Sequence, residues 1–229
     1  MDFSLDMLET VFDPEVMPIL EISPESITPD SEPCLIVYTD ASYFEDRDTV
    51  SGELLARHCH LSVNVYDQRD ATWHKSHVEM PESYYEHFPE LKSYIGRGEI
   101  GAAIGMLYSN PALFAGRRII HFIDNAPALS NLVNGYSGKA DVARLVNMFH
   151  LALLALGCEW YGEWVPSKAN IADIMTRVER HEELRAGLGE TAWASQQTFV
   201  FQLPPLGMPW ASLKAWVMEM RASRERAGI

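Results

Sequence analysis

Two uninterrupted apolar runs, each followed directly by an aspartate, restrict the possible folds most strongly. Residues 35–39 (Leu-Ile-Val-Tyr-Thr) precede Asp40, and residues 119–123 (Ile-Ile-His-Phe-Ile) precede Asp124. Short continuous runs of β-prone residues are typical of strands buried on both faces, inside a sheet covered by helices. Ligands of such sheets bind beyond the carboxyl ends of the parallel strands. If the two strands are adjacent and parallel, Asp40 and Asp124 emerge side by side.

The segments around these runs predict a mixed sheet flanked by helices. Alternation at 61–66 and a β-rich segment at 72–78, with polar turns at 45–48 and 67–70, predict two strands that continue an antiparallel meander. A fifth strand is predicted at 159–165. Apolar residues at helical spacing predict helices at 91–107, 126–134 and 142–156, and a last core helix beginning near Ala172. This order predicts a five-stranded mixed α/β sheet covered by helices. Four glycines interrupt the first helix and would let it lie close to the sheet: Gly96, Gly98, Gly101 and Gly105.

Composition divides the chain into three parts. Residues 1–33 contain nine acidic residues, five prolines and no Lys or Arg, which predicts an extended or loosely docked acidic leader. The leader carries most of the net charge of −14, and only −5 remains on residues 34–229. The folded domain is predicted to span 34–186. A C-terminal extension at 187–229 contains a possible strand at 198–203 and an amphipathic helix with an apolar stripe from Trp210 to Met220, which we expect to pack on the core.

Bulk features predict an intracellular protein, cytoplasmic or nuclear. No apolar run reaches the length of about 18 residues that a transmembrane helix needs, so no membrane association is expected. The N-terminus lacks the basic residues of a secretory signal. Cys34, Cys59 and Cys158 are odd in number and form no CxxC pair, which indicates neither disulfides nor a zinc site. The weakly charged body lacks the strongly basic surface that tight nucleic-acid binding normally requires.

Two further acids extend the pair at the strand ends. Glu99 lies four residues after Ile95 and four before Ala103, on the apolar stripe of its helix, and Asp173 opens the last core helix. A buried carboxylate costs several kcal/mol unless it is paired or bound to a metal. Carboxylates that lie close together also repel one another, and a divalent cation removes that repulsion. The hard oxygen donors predict two Mg²⁺ ions, with Mn²⁺ as a substitute.

Each acid also has a structural explanation. Asp124 could cap the helix that follows it, and Asp173 suits the first turn of a helix through the helix dipole. Asp40 could be a turn residue, and Glu99 could reach the surface if the helix phase differs. Glu53 competes with Glu99, but it follows Asp40 by only 13 residues, which leaves no room for two further strands before the helix. The joint pattern favours the set with Glu99.

Four segments in this order resemble the ribonuclease H domains of retroelement reverse transcriptases. They are Tyr38-Thr39-Asp40-Ala41-Ser42, Glu99-Ile100, Phe122-Ile123-Asp124-Asn125 and residues 164–173 (WVPSKANIAD), and the likeness covers roughly 34–178. The resemblance implies that Asp40, Glu99, Asp124 and Asp173 are catalytic metal ligands. It also implies endonucleolytic hydrolysis of the RNA strand of an RNA–DNA hybrid, and a polymerase domain as a partner in a parent polyprotein. Candidate substrate contacts within these motifs are Ser42, Asn125, Lys168 and Asn170.

Two departures from the family pattern leave alternatives open. Many relatives have a histidine in the loop before the last aspartate, and this loop offers Lys168 and Asn170 instead. The chain also lacks a polymerase-like YxDD motif. A 3′–5′ exonuclease on the same scaffold is a second hypothesis, although that group resembles sequences with an Asp-x-Glu pair where this chain has Asp40-Ala41-Ser42. A third is a binding module that kept the fold and lost activity. His121, inside an apolar strand, is expected to be a satisfied core residue.

Overall fold

A computed structural model of the chain describes residues 33–89, 91–177, 181–207 and 210–227, so the predicted leader lies outside the described residues except for Pro33. The strands are β1 (Leu35–Arg47), β2 (Leu54–Asp67), β3 (Thr72–Glu79), β4 (Arg118–Ile123), β5 (Glu159–Trp164) and β6 (Gln197–Thr198). The α-helices are α1 (Glu82–Tyr85), α2 (Ile95–Ser109), α3 (Pro111–Phe114), α4 (Ala126–Asn134), α5 (Ala140–Leu156), α6 (Ile171–Met175), α7 (His181–Leu188), α8 (Glu190–Ser195) and α9 (Trp210–Ala227).

The strands form one mixed sheet in the order β5-β4-β1-β2-β3-β6. Strands β1, β2 and β3 are an antiparallel meander, while β4 runs parallel to β1 and β5 runs parallel to β4. The predicted mixed α/β sheet flanked by helices is confirmed, and its first five strands are the predicted ones. Strand β6 is an addition, since it pairs in parallel with the outer edge of β3.

The β1–β2 hairpin is longer than predicted. The predicted turn at 45–48 is wrong, because Glu45 still pairs with Arg57 and the chain reverses at 48–53. Beyond Ala41 most side chains of β1 are partly or fully exposed, so the hydrophobic signal ends while the backbone hydrogen bonding continues. The hairpin therefore extends past the point where β1 stops pairing with β4.

Helix α2 packs directly on the sheet. It begins at Ile95 rather than at Leu91, and most of its residues are buried against β1, β2 and α5. A Cβ placed on Gly98 would lie 2.7 Å from Cys59 Sγ and 2.9 Å from Ala41 Cβ. The missing side chain of Gly98 therefore allows the close approach that the glycine pattern predicted.

The C-terminal segment also covers the core. Phe201 is buried, and its ring occupies the space that a Cβ on Gly105 would need. Helix α9 packs on α5, with Leu213 and Val217 buried, which confirms the predicted packing of the amphipathic helix. The predicted strand at 198–203 is shorter and earlier, at Gln197–Thr198. Among the described residues, no helix has the length and apolarity to cross a bilayer.

Candidate metal centre

The parallel pairing of β1 and β4 places two aspartates at one edge of the sheet. Thr39 is paired with Ile123 in the last step of the parallel ladder, and Asp40 and Asp124 follow directly. Glu99 reaches the same point from α2. One carboxylate oxygen from each of these three residues lies within 4.8 Å of the other two. The sheet and α2 thus bring together acids that are up to 84 positions apart in sequence.

Glu99 enters the cluster from the buried side of α2. It is only 3% exposed, and the backbone N–H of Ala41 partly opposes the rise in its pKa. One carboxylate oxygen, Oε2, is buried and has no hydrogen-bond partner among the described residues. Burial, together with the charges of Asp40 and Asp124, raises the pKa of Glu99 well above its usual value. A buried oxygen without a partner is one that a cation could satisfy.

Asp40 is the acid at the centre of the group. Burial and the nearby charges of Asp124 and Asp173, opposed by a hydrogen bond from Thr176, together raise its pKa to about 7. Thr176 donates that bond from its hydroxyl to Asp40 Oδ2 at 2.9 Å. The Thr176 hydroxyl therefore holds the Asp40 carboxylate in one orientation. Burial and the neighbouring acids nevertheless disfavour its charged form.

Asp124 does not cap the helix that follows it. Asn125 is the N-cap residue of α4, and its side chain accepts a hydrogen bond from Ala128 N at 3.0 Å. The indole of Trp164 donates to the backbone oxygen of Asp124 at 3.0 Å, which ties the end of β5 to the end of β4. The carboxylate of Asp124 does not serve as a helix cap, and it lies in the cluster with Asp40 and Glu99.

Asp173 lies at the margin of the cluster, on the short helix α6. It is outside the three-residue group whose oxygens lie within 4.8 Å of one another, but its charge contributes to the raised pKa values of Asp40 and Glu99. Arg177, one turn later, forms an ion pair with Asp173 Oδ1 at 2.9 Å. The structure therefore brings the fourth predicted acid next to the other three. The guanidinium of Arg177 lies on the outer side of this acid.

Helix α6 has only five residues, and side chains from outside it hold it in place. Asn170 caps the helix by accepting from Ala172 N, and its Nδ2 donates to Thr39 O at 2.9 Å. Ser62 on β2 donates from its hydroxyl to Ala172 O at 2.9 Å. These bonds attach the helix to β1 and β2 beside Asp40, and they set the position of Asp173.

The predicted substrate contacts occupy different environments. Lys168 is exposed in the 3₁₀ turn Ser167–Ala169, and Ser42 is half-buried on β1, two residues beyond Asp40. Asn125 is half-buried with its side-chain oxygen engaged in the cap of α4. Asn170 is 1% exposed, and both the oxygen and the nitrogen of its side-chain amide form hydrogen bonds within the protein. The Asn170 side chain therefore positions α6, and its role as a substrate contact stays a prediction.

Three residues of the site were not singled out from sequence: Ser62, Thr176 and Arg177. Arg177 had a local signal, because it stands four residues after Asp173 in a predicted helix and such pairs face each other. Ser62 and Thr176 had none, since their partners are far away in sequence. The rejected alternative, Glu53, is exposed in the turn at 48–53.

A buried polar chain supports the strand ends from inside the sheet. Trp160 Nε1 donates to His121 Nδ1 at 3.2 Å, so the ring proton lies on Nε2, which donates to Thr39 Oγ1 at 2.7 Å. Burial lowers the pKa of His121 to about 3, and the imidazole is neutral. His121 is thus the satisfied core residue that its place in an apolar strand predicted.

The donor set fits a hard divalent cation. Asp40, Glu99 and Asp124 offer only carboxylate oxygens, the ligands that Mg²⁺ and Mn²⁺ take in proteins. The cluster combines mutually repelling charges with a buried Glu99 oxygen that no described residue hydrogen-bonds. Both features are ones that a bound cation relieves.

No protein-family model matches the sequence, and no curated protein matches it either. Several solved structures are similar to this chain at low identity and with TM-scores below 0.5. One is the N-terminal RNase H domain of a Mycobacterium tuberculosis protein, solved as a fusion with maltose binding protein (12% identity, 69% of this chain and 100% of that chain, TM-score 0.43). Another is RNase H1 from Halobacterium salinarum (12% identity, 65% and 98%, TM-score 0.43). A third is the protease-reverse transcriptase of prototype foamy virus (10% identity, 74% of this chain and 22% of that chain, TM-score 0.45).

Proposed function

We propose that this chain is a divalent-metal-dependent nuclease that cuts the RNA strand of RNA–DNA hybrids internally, leaving a 3′-hydroxyl and a 5′-phosphate. The observation that carries the proposal is the convergence of Asp40, Glu99 and Asp124, with a buried Glu99 oxygen that has no hydrogen-bond partner in the part of the chain that the structure describes. A folded protein without a cation gains nothing from such an arrangement, because burial and mutual repulsion both disfavour the charged forms.

Asp40, Glu99, Asp124 and Asp173 are the residues that would hold two Mg²⁺ ions. When bound, such ions activate a water molecule and stabilise the leaving oxygen of the phosphodiester. The chain itself orients the ligands. The Thr176 hydroxyl fixes one oxygen of Asp40, and the Asn170 cap positions α6, the helix that carries Asp173.

Cationic side chains at the rim are the candidates for holding the nucleic-acid backbone. Arg177 is half-exposed beside Asp173, and Lys168 is exposed in the turn that precedes α6. Ser42 lies on the same face of β1 as Asp40 and remains a proposed substrate contact. These few contacts suit a domain whose body carries little net charge and which acts beside another nucleic-acid-binding domain.

The choice of an RNA–DNA hybrid as substrate rests on the sequence motifs. Residues 38–42, 122–125 and 164–173 together resemble the ribonuclease H domains of retroelement reverse transcriptases, and each contributes an acid to the centre. We therefore also propose a retroelement origin and a polymerase domain as the natural partner. An intracellular location is proposed as well, because the three cysteines are unpaired, as expected in a reducing compartment.

The test compares cleavage of a labelled RNA–DNA hybrid, duplex DNA and duplex RNA in Mg²⁺. Wild-type protein is expected to cut only the hybrid. Glu99→Gln is expected to lower the rate at least about 100-fold, since it removes a charged ligand from the centre. Glu53→Gln is the matched control. Glu53 is the glutamate that competed with Glu99 in the sequence analysis, and it is exposed in a turn.

The outcomes separate the three hypotheses. Cleavage of the hybrid alone, lost in Glu99→Gln and in Asp124→Asn but not in Glu53→Gln, supports the proposal. Equal cleavage of duplex DNA would favour another nuclease on this fold. No cleavage by a folded protein with any substrate would favour a binding module, and equal rates for Glu99→Gln and wild type would refute the proposed centre.

A further inference from the structure

A second group of possible metal ligands lies on the outer part of the meander. His58 and His60 are on β2, and Glu79 is on β3, with one ligand atom from each within 4.8 Å of the other two. His60 and Glu79 are direct cross-strand partners. His58 precedes His60 by two residues and therefore projects from the same face of the sheet. The strand register alone thus brings two imidazoles and a carboxylate together.

An aromatic side chain holds the two imidazoles in parallel. Phe44 on β1 is the cross-strand partner of His58. Its ring stacks on His58 with centroids 4.6 Å apart and lies 5.9 Å from the ring of His60. The two imidazole planes differ by only 7°. The orientations are therefore set by packing, which reduces the entropy that metal binding would otherwise cost.

Two carboxylates flank His58, one at each ring nitrogen. Glu79 Oε1 is 2.6 Å from Nδ1, and Asp46 Oδ2 is 3.1 Å from Nε2. A cation shared by Nδ1 and Glu79 would leave the Nε2 proton donated to Asp46. A carboxylate that accepts the second ring proton of a ligating histidine is the usual outer support of such sites, because it fixes the tautomer and strengthens the ligand.

We propose that His58, His60 and Glu79 form a binding site for a borderline transition-metal cation of the Zn²⁺ type, with Asp46 as the positioning residue of His58. Two imidazoles and one carboxylate suit Zn²⁺, Ni²⁺ or Cu²⁺, whereas the all-oxygen centre suits Mg²⁺. Three protein ligands leave one coordination position open. Both histidines are partly exposed and Glu79 is exposed, so the site opens to solvent.

The proposed site lies on the same face of the sheet as Asp40. Asp40 pairs with Ser62, Ser42 pairs with His60, and Phe44 pairs with His58. Each two-residue step along a strand covers about 7 Å, so the site begins roughly one such step beyond the acidic centre. A bound divalent cation would place positive charge on a chain whose net charge is −14. The proposed site does not depend on the proposed nuclease function.

The test is a calorimetric titration of Zn²⁺ into the full chain without an affinity tag, in excess Mg²⁺ to occupy the acidic centre. We expect one Zn²⁺ per chain, with affinity lowered more than 100-fold by the double substitution His58→Ala, His60→Ala. Asp46→Asn is expected to weaken binding about 10- to 100-fold, as losses of outer carboxylates do. His87→Ala is the control, since His87 is exposed and lies outside the group.

A measurement on unsubstituted protein avoids any dependence on variant folding. Imidazole ¹⁵N–¹H spectra are expected to show the resonances of His58 and His60 moving on addition of Zn²⁺, while that of His87 stays in place. Undetectable binding, equal binding by the double variant, or Zn²⁺ shifts confined to other histidines would each overturn the proposal.

Discussion

Glu99 shows most clearly why a cation would stabilise the acidic cluster. The carboxylate is 3% exposed, and one of its oxygens has no hydrogen-bond partner within the described ranges, so it loses its hydration without a full replacement. Asp40 and Asp124 add negative charge within 4.8 Å. The same geometry that makes the metal-free centre unfavourable suits it to bind a divalent cation, because the cation would attract all of these charges at once.

The raised pKa of Asp40 predicts how pH affects the metal-free protein. Its pKa of about 7 in the folded state lies above the usual value of an unfolded aspartate, so the folded state holds the proton more tightly. The contribution of Asp40 to the free energy of unfolding is fully present below the pKa of an aspartate in the unfolded chain. It is lost as the pH rises through about 7, the pKa of Asp40 in the folded state. Asp40→Asn should therefore be more stable than wild type in EDTA at pH 8, by up to about 4 kcal/mol, and by less at pH 5.

Urea unfolding at the two pH values measures this difference. Asp70→Asn is the control, because Asp70 is exposed in the turn at 68–71, away from the cluster. Added Mg²⁺ should reverse the order by stabilising wild type more than Asp40→Asn. A stability difference for Asp40→Asn that stays the same at pH 5 and pH 8 would count against the raised pKa.

The ion pair between Arg177 and Asp173 predicts a second effect at the scale of one residue. Arg177 supplies a positive charge at the outer side of a proposed metal ligand and therefore competes with a cation for it. Arg177→Ala should lower the Mg²⁺ concentration for half-maximal binding or cleavage by a few-fold, as expected for an exposed pair worth up to about 1 kcal/mol. Arg47→Ala is a matched control, since Arg47 is equally exposed and paired with Glu45. An unchanged Mg²⁺ requirement in Arg177→Ala would show that the guanidinium does not compete.

At the scale of single elements, helix α2 positions Glu99 because it can approach β1 and β2 closely. Gly98 is the residue that permits this contact, and it directly precedes Glu99. The helix was predicted from its apolar spacing, and its closeness to the sheet from its glycines. Which glycine mattered was not predictable, because that depends on where Ala41 and Cys59 lie in space.

Gly98→Ala should separate α2 from the sheet. The new methyl would meet Cys59 Sγ and the Cβ of Ala41, so we expect a loss of about 1–3 kcal/mol in stability. The accompanying shift of Glu99 should reduce cleavage by up to about 100-fold, since displacements near 1 Å have effects of that size. Thermal unfolding and the hybrid cleavage assay measure both.

Gly96→Ala is the control in the same helix. A Cβ at Gly96 meets nothing within 4 Å, so alanine should stabilise the helix by up to about 1 kcal/mol. Equal effects of the two substitutions would contradict the packing explanation.

At the scale of the whole molecule, the C-terminal segment completes the core around α2 and α5. Strand β6 extends the sheet, Phe201 covers Gly105, and α9 lies on α5. The predicted boundary between domain and extension at 186–187 stays a prediction, although both parts contact one core.

Phe201→Ala should reveal how much this segment contributes. Removing a buried aromatic ring typically costs about 3–5 kcal/mol, which corresponds to roughly 6–20 °C in Tm for a chain of this size. The exposed neighbour Val200 is the control, and Val200→Ala should change Tm little. Calorimetry measures both. If Phe201→Ala left Tm unchanged, the segment would not contribute to the stability of the core.

The amino-acid sequence by itself determined the order and type of the main elements, because hydrophobic periodicity is a local property. The runs before Asp40 and Asp124 identified two buried strands, and the spacing around Glu99 identified a buried helix face. The exposed half of the β1–β2 hairpin was missed, since backbone pairing there carries no hydrophobic signal.

Only the tertiary structure decided which groups meet. The contacts of Ser62 with Ala172, of Asn170 with Thr39 and of Thr176 with Asp40 join residues more than 100 positions apart. The grouping of His58 and His60 with Glu79 follows from a strand register that neither segment specifies alone. Such contacts depend on the relative placement of whole elements, which is set by packing across the sheet and not by the local pattern of any one segment.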